Sequence, residues 1–435
     1  MTDLNHTWGT DRRDFIKKMA VTATGLTVGY MSSGNFAYAA GTDKIRIGII
    51  GCGRRGTGAV RDCIRSSENV ELVAMGDLFA DQLQVSKERL REIIGPAFKV
   101  TDENSFVGFD AYQKVLDTDI DIVLLTTPPG FRPLHLRAAV EKGKHVFMEK
   151  PVAVDTAGVK SVLQSGEMAK SKGLSLVAGT QYRRKSNFID SISLIHDGEI
   201  GIPLMGMTRY LTGSLWVVEK TPVMTDMEWQ LRNWYYFTWL SGDFIVEQFV
   251  HNLDTANWIF NGPPLKCWGM GGRQVRVEPK YGHIYDNFNI HYEYPNGVEV
   301  IGSCRQMEGA NRNVGSQIIG SNGKAIIETD RSELLNLNGE SIQQFLAFEE
   351  NPYEKTHEDL IKSIREGTPL NETKKVAEAT MTAVMGRESA YTGQEITWDQ
   401  IMNAELDLVP ESVEFGPATI PPVAVPNVTR LNRTI

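Results

Sequence analysis

Clustered cysteines and histidines, an excess of basic charge and long apolar runs are all scarce in this chain, and each shortage excludes something. Four cysteines occur, Cys52, Cys63, Cys267 and Cys304. None stands in CxxC spacing, which argues against a zinc site. The eight histidines are scattered and no HExxH is present, so no metal is expected. An oxidising compartment would permit a Cys267–Cys304 bridge, but four buried free thiols are the expectation. Lys plus Arg number 45 against 54 Asp plus Glu, a net charge of −9. That balance argues against nucleic acid or an anionic membrane surface as partner. Repeats and low-complexity tracts are lacking too, and the composition is that of an ordinary globular protein.

What is present begins at the N-terminus. Asp11-Arg12-Arg13-Asp14-Phe15-Ile16-Lys17 precedes an uncharged stretch, Met19 to Ala39, ending in the small-x-small pattern Ala37-Tyr38-Ala39. Together these read as a twin-arginine export signal over residues 1–39, with Asp11 departing from the usual Ser or Thr. The uncharged stretch is too rich in Thr, Gly and Ser for a membrane span, and no other segment approaches the length of one. The expected location is periplasmic or otherwise exported. Cleavage after Ala39 would make the charge balance one unit more acidic, since Arg12, Arg13, Lys17 and Lys18 leave with Asp3, Asp11 and Asp14.

From Lys44 the pattern is strand, glycine cluster, helix, and then further alternation. Lys44–Ile50, Val70–Met75, Asp121–Leu125, His145–Met148 and Ser175–Ala178 read as strands. Gly58–Ser66, Ala80–Ile94, Leu134–Lys142 and Val159–Ser171 read as the intervening helices. Such alternation implies βαβ crossovers and a parallel sheet covered on both faces. From about Lys266 to Thr329 strands follow one another, with hairpin signals at Pro295-Asn296-Gly297 and Ser321-Asn322-Gly323. Helices are expected at His357–Arg365 and Lys374–Tyr391. Beyond Trp398, Pro410, Pro417, Pro421, Pro422 and Pro426 predict an extended tail packed on the body or on a partner subunit. The fold class is α/β: a doubly wound parallel domain, then an α+β domain with an open, mainly antiparallel sheet. Residues 41–178 are expected to form the first, 179–405 the second and 406–435 the tail.

The glycine cluster Gly51-Cys52-Gly53-Arg54-Arg55-Gly56 stands after a strand and opens a helix, where a dinucleotide-binding Rossmann turn requires it. Gly51 permits the tight turn, and Gly53 lets a pyrophosphate approach the helix N-terminus, where amide N–H groups favour anions. Asp77, twenty-one residues after Gly56, ends the second strand and is placed to accept hydrogen bonds from an adenosine ribose. It would repel a 2′-phosphate, so NAD is expected over NADP. Arg54 and Arg55 pull the other way, because a guanidinium could grip that phosphate; they could equally bind pyrophosphate or face solvent.

Glu149-Lys150-Pro151 also ends a strand, pointing into the crevice where open α/β sheets bind ligands. A lysine there can hydrogen-bond a substrate hydroxyl, although taken alone it reads better as a solvated side chain before a proline. With Thr127-Pro128, His135 and Gly143-Lys144-His145-Val146 after the glycine turn, the chain from Lys44 to about Trp398 resembles the Gfo/Idh/MocA oxidoreductases. The resemblance implies that Lys150 is catalytic or positions substrate beside the nicotinamide, and that Thr127, Pro128 and Glu149 border the cofactor. It also implies a carbohydrate or polyol substrate and a sheet that makes the oligomer interface, so a homo-oligomer (dimer or tetramer) is expected.

Ser241–His251 is the second chemical stretch. If helical, Glu247 and His251 are i, i+4 neighbours on one face, and the carboxylate would orient the imidazole and raise its basicity. On the residues alone, a satisfied core histidine is the better reading. The stretch is similar to the family's glycine-rich run into Asp-x-x-x-His, with Glu247 in the aspartate's place, and this implies a catalytic His251. Asp254, three residues on, is an alternative orienting carboxylate near the substrate. Arg183 and Arg184 stand in a segment resembling the family's entry to the substrate pocket, where one would contact substrate or both would form structural ion pairs. Among the aromatics between Trp216 and Trp239, Trp234 or Trp239 is expected to face a sugar ring.

Export constrains the chemistry. Twin-arginine transport moves folded proteins, so NAD would leave already bound, tightly held and with no free pool to exchange with. The expected activity is therefore NAD-dependent oxidation of a sugar or glycoside hydroxyl, at C3, with the hydride recycled internally to a keto-sugar or another acceptor. Gly130-Phe131-Arg132-Pro133 and Gly271-Gly272-Arg273-Gln274 look similar to bacterial members of that kind. The alternative is an NAD-dependent glycosidase working by oxidation, elimination, hydration and reduction. A third reading is a sugar-binding protein with a vestigial nucleotide fold.

Overall fold

The computed structural model describes residues 44–347 and 351–434, which belong to one compact unit. The twin-arginine segment and its cleavage site lie outside the described residues.

Strands β1 (Ile45–Ile50), β2 (Val70–Asp77), β3 (Ser105–Val107), β4 (Ile122–Leu125), β5 (His145–Met148) and β6 (Leu176–Ala178) form a sheet in the order β3-β2-β1-β4-β5-β6. Every pairing in it is parallel. Helices cover both faces, so β4 and β6 are buried at every position. The order reverses between β1 and β4, and Gly51 and Thr126 sit at the carboxyl ends of those two strands. That crevice is the ligand site of doubly wound sheets.

The second sheet has nine strands, adding β7 (Pro203–Thr212), β8 (Lys266–Gly272), β9 (Asn287–Tyr294), β10 (Val298–Gln306), β11 (Asn313–Gly320), β12 (Gly323–Glu328), β13 (Arg331–Asn336), β14 (Ser341–Leu346) and β15 (Ile396–Thr397). Their order is β14-β13-β12-β11-β7-β10-β9-β8-β15. Only β7 and β10 pair in parallel, so the sheet is mainly antiparallel, as expected. The β9–β10 hairpin turns through Asn296 and Gly297, both at positive φ. Along β9 and β10 buried and half-buried residues alternate, the period-2 pattern of a strand with one covered face.

The sequence pattern does not announce β3, β7, β13, β14 or β15. Strand β7 is separated from both its partners by long stretches of chain, and β14 is almost wholly exposed, so neither advertises itself by local pattern. The first helix starts at Arg54 rather than Gly58, glycines and all. Helix Pro352–Arg365 begins earlier than expected and returns to the first sheet. It packs on helix Arg54–Ser66 and puts Leu360, Ile361 and Ile364 into that core. Helix Thr373–Thr392 lies between helix Thr156–Ser171 and β8, which explains its burial on nearly all sides. The four cysteines are free and buried.

The tail leaves helix Trp398–Asn403 and packs on the body, bonding through Ala424 O to Tyr285 Oη at 2.8 Å and through Asn427 N to Thr392 O at 2.8 Å. Its last residues form β17 (Arg433–Thr434), which pairs in parallel with β16 (Leu406–Asp407). Among the described residues no helix is long and apolar enough to cross a membrane.

Candidate active site

The glycine turn is built for a phosphate. Gly51 lies at φ +97°, and a Cβ there would stand 2.6 Å from Thr127 N. A Cβ on Gly56 would stand 2.0 Å from Gly51 O, so the helix can start this close to the turn only with glycine there. Gly53 is different: a Cβ would meet nothing within 4 Å. It caps helix Arg54–Ser66 without a side-chain bond, leaving an open cradle over the helix N-terminus. Asp77 closes one side, its carboxylate accepting from Cys52 N at 2.5 Å and Phe79 N at 2.8 Å. Burial pushes that carboxyl up, and these amides oppose the rise. A turn open at Gly53, beside a carboxylate fixed by backbone, fits the diphosphate and adenosine ribose of NAD.

The arginines of the turn part company. Arg54 is exposed. Arg55 lies under the Tyr353 ring at 4.9 Å and donates Nε to Glu149 Oε1 at 2.6 Å and Nη1 to Asp62 Oδ2 at 3.3 Å. With two carboxylates as partners, Arg55 is not poised to grip a 2′-phosphate. Glu149 owes its place to Gly179, whose Cβ would stand 2.7 Å from Glu149 Oε2. Thr127 Oγ1 bonds the ring of His135 at 3.2 Å, and burial depresses that imidazole to about 3. Pro128 follows at the turn where β4 gives way to the short helix Pro129–Phe131.

Next to this crevice lies a cavity of about 620 Å³. Thr126, Thr127, Arg132, Glu149 and Lys150 line it from the segments that follow β4 and β5, and Tyr182, Tyr210, Trp234, Glu247 and His251 from later in the chain. The volume suits a small organic ligand. Lys150 Nζ donates to Glu247 O at 2.5 Å and to Glu247 Oε1 at 3.0 Å. The other carboxylate oxygen accepts from Gln248 Nε2 at 2.5 Å, and Gln248 Oε1 accepts from Tyr210 Oη at 2.7 Å. Burial raises the Glu247 carboxyl, and the Lys150 charge is the main opposing influence.

The expected Glu247–His251 pair on one helical face is not formed. Helix Phe244–Glu247 stops, and a new helix runs from Val250 to Ile259. The break coincides with a tertiary contact: Glu247 O, the natural acceptor for His251 N in a continuous helix, accepts from Lys150. His251 N turns to Gln248 O at 3.4 Å. The ring packs 5.0 Å from that of Tyr182. Nor is its basicity raised: burial, and then the Lys150 charge, hold it well below the ordinary histidine range. His251 is a neutral imidazole on the cavity wall.

Several substrate candidates are committed elsewhere. Asp254 does not orient His251; it takes Arg183 in a two-bond pair, both at 2.8 Å. Arg184 is held by Glu372 at 2.8 Å and Asp359 at 3.1 Å. Trp239 is in the core, 2% exposed, donating Nε1 to Gln230 Oε1 at 2.9 Å, and is no sugar platform. Its carbonyl would stand 2.2 Å from a Cβ on Gly130, so only glycine at that position allows the two segments to approach this closely. Trp234 does line the cavity. Arg132 lines it too, tying the ends of β4 and β5 through Thr127 O at 2.6 Å and Glu149 O at 3.1 Å. Arg273 is spent on the carbonyls of Gly282 and Glu278. Tyr182, Tyr210, Gln248 and Tyr353 were not anticipated, since nothing local in the sequence marks a tyrosine or glutamine as cavity-facing.

A parallel sheet with this glycine turn and strand-end carboxylate defines a dinucleotide-binding oxidoreductase fold, and the family models agree. Residues 45–180 match the oxidoreductase family Gfo/Idh/MocA, NAD-binding Rossmann fold, and residues 192–326 match the Gfo/Idh/MocA C-terminal domain. Together they span more than half of the 435 residues, and the chain belongs to that family.

Among its relatives, inositol 2-dehydrogenase of Salmonella typhimurium is 26% identical over 217 residues, 50% of this chain and 55% of that protein. The chain thus spans about half the length of that relative. Two solved structures share the fold. Aldose-aldose oxidoreductase from Caulobacter crescentus, complexed with glycerol, has a TM-score of 0.64 at 18% identity, covering 82% of this chain and 100% of that one. Scyllo-inositol dehydrogenase from Lactobacillus casei, with bound NAD(H) and scyllo-inositol, has a TM-score of 0.62 at 17% identity, covering 82% and 99%.

Proposed function

We propose that this protein is an exported, NAD-dependent dehydrogenase that oxidises a ring hydroxyl of a sugar or glycoside, at C3, with a tightly held cofactor recycled on the enzyme. The observation that carries the reading is Lys150, held by two bonds to Glu247 on the wall of a cavity that also exposes a neutral His251. Relatives named as inositol dehydrogenases support a cyclic polyol or sugar as substrate class.

When bound, NAD would supply the hydride acceptor, and the open turn at Gly53 with Asp77 would hold it. The chain's own groups handle the proton. Two N–H bonds of Lys150 go to Glu247, and the third is left for a substrate hydroxyl, whose developing negative charge the ammonium stabilises. His251, uncharged at neutral pH, offers a lone pair to the same hydroxyl, and Trp234 offers an aromatic face to the ring. Carbinol oxidation then places the proton on the enzyme and leaves a ketone. Reduction of a second keto-sugar in the same cavity reverses both transfers, so no soluble cofactor is consumed. The half-buried face of β8–β10 is the proposed homo-oligomer surface.

The test is direct. Purified protein is denatured and assayed for released NAD, and the native protein is then given a panel of p-nitrophenyl glycosides with and without a keto-sugar acceptor. A 3-keto product that depends on the acceptor is expected. Free nitrophenol at constant cofactor redox state would overturn this in favour of the oxidation–elimination–hydration–reduction glycosidase. Lys150→Ala should abolish turnover, and His251→Asn should reduce kcat on the order of 100-fold or more; normal turnover in either would sink the site assignment.

A further inference from the structure

Beyond the family models, which end at residue 326, the tail forms a belt that runs back over the body to the Asp77 side of the cofactor crevice. The belt leaves at β16 and returns to pair with it at β17, and Arg433 fastens the return to the buried Glu388 at 2.6 and 3.0 Å. Both ends are therefore fixed, and the middle must lie where side chains hold it. It is held along helix Asp226–Arg232: Met227 N donates to Gly416 O at 3.1 Å, Ala418 N to Asp226 Oδ2 at 3.3 Å and Gln230 Nε2 to Thr419 O at 3.2 Å.

At that point Phe415 leaves the belt and meets two rings that stand two residues past the ends of β2 and β3. Its centroid lies 6.0 Å from Phe79 and 5.1 Å from Phe109. Arg232 covers the Phe79 ring at 3.8 Å and pairs with Asp81 at 3.0 Å. The location matters because Phe79 N is bonded to the Asp77 carboxylate, and Gly108, just before Phe109, donates its N–H to Asp77 O at 3.1 Å. Asp77 is the residue positioned for the adenosine ribose. The group covalently attached to that ribose is adenine, a flat ring that stacks on aromatic side chains. Yet Phe415 is 48% exposed and Phe109 37%, a large apolar surface to leave open beside a nucleotide site.

We propose that the C-terminal belt, through Phe415, is part of the cofactor site: with Phe79 and Phe109 it forms the aromatic wall that takes the adenine end of NAD. This rests on the reading that the crevice holds NAD. The belt adds a contact from outside the two segments matched by the family models, at the end of the cofactor remote from the chemistry. It is thus a device for retention, not for turnover.

Binding of the two halves of the cofactor separates this role from a general structural one. Full-length protein, stripped of nucleotide, is titrated calorimetrically with NAD, ADP and nicotinamide mononucleotide, for the parent chain, Phe415→Ala and Phe415→Leu. Base–aromatic stacking corresponds to a loss on the order of 10-fold in affinity. Phe415→Ala is expected to weaken ADP and NAD by that factor and to leave nicotinamide mononucleotide unchanged. Phe415→Leu, which keeps apolar bulk and guards against a folding defect, should show the same selectivity, and Phe415→Trp should restore binding. Unchanged ADP affinity, or equal weakening of ADP and nicotinamide mononucleotide, would overturn the proposal while leaving the NAD reading standing. Failure of the parent chain to bind any of the three would overturn that reading and the belt's role with it.

Discussion

Replacing Lys150 by Met tests the central contact in a way that activity loss alone cannot. The Lys150–Glu247 pair is nearly dry, with side-chain exposures of 11% and 10% and a separation of 3.0 Å. Methionine keeps the length and apolar stem of lysine but deletes the charge and both hydrogen bonds. Removing one member of a buried pair leaves an uncompensated charge, a loss of about 3–5 kcal/mol. Here the loss is pH-dependent. Burial already raises the Glu247 carboxyl and Lys150 is the main restraint, so without Lys150 its folded-state value climbs further. A group whose folded value lies above its unfolded one destabilises nothing while both states are protonated. The penalty then grows by about 1.4 kcal/mol per pH unit until the folded value is passed. Lys150→Met should therefore be closer to the parent at about pH 5 than at about pH 8. Glu247→Gln alone should also destabilise, by stranding the ammonium. The double substitution should recover a large part of the summed loss, since no buried charge remains. Urea unfolding of the four proteins at the two pH values gives the coupling. Additive losses with no pH slope would mean that Lys150 and Glu247 do not form this pair, and the assigned site would fall with it.

Two further predictions follow from the same geometry. Gly56→Ala should fold less stably and lose dinucleotide binding in an NADH fluorescence titration, because its methyl must stand 2.0 Å from Gly51 O and the turn has to open; parent-like affinity would refute the role given to that turn. Asp243, fully buried and accepting from Tyr391 Oη, Tyr285 N and Phe244 N, is pushed up to about 6 by burial. Its folded value exceeds its unfolded one, so its contribution falls as pH rises from about 4 to about 6, by about 3 kcal/mol in all. The stability difference between the parent and Asp243→Asn should shift by that amount over this window in denaturant titrations, and a flat difference would contradict the buried placement.

What could be read from the chain followed the range of each interaction. The glycine turn was legible because its requirements are local: a strand before it, a helix after it and backbone room at Gly53. The alternation of the first sheet was legible for the same reason, helix and strand periods being properties of short windows. The Glu247–His251 face was misread because its helix breaks where a lysine 97 residues away takes the Glu247 carbonyl. Arg183 and Arg184 look alike in sequence as substrate ligands, yet each meets carboxylates, Asp254 or Glu372 and Asp359, that only folding brings near. Trp234 and Trp239 are equally aromatic and five residues apart; one lines the cavity and the other is core.

By itself, then, the sequence determined the alternating strands and helices of the first sheet, where a phosphate can approach, and that Lys150 stands at a strand end. Those are short-range matters of propensity, periodicity and steric room. The tertiary structure alone decided that Lys150 pairs with Glu247, that His251 is neutral and free of that carboxylate, and that Phe415 packs on Phe79, two residues past Asp77. These depend on burial and on charges brought together from distant positions. Desolvation and pairing act on a side chain through whatever packs against it, not through its neighbours along the chain.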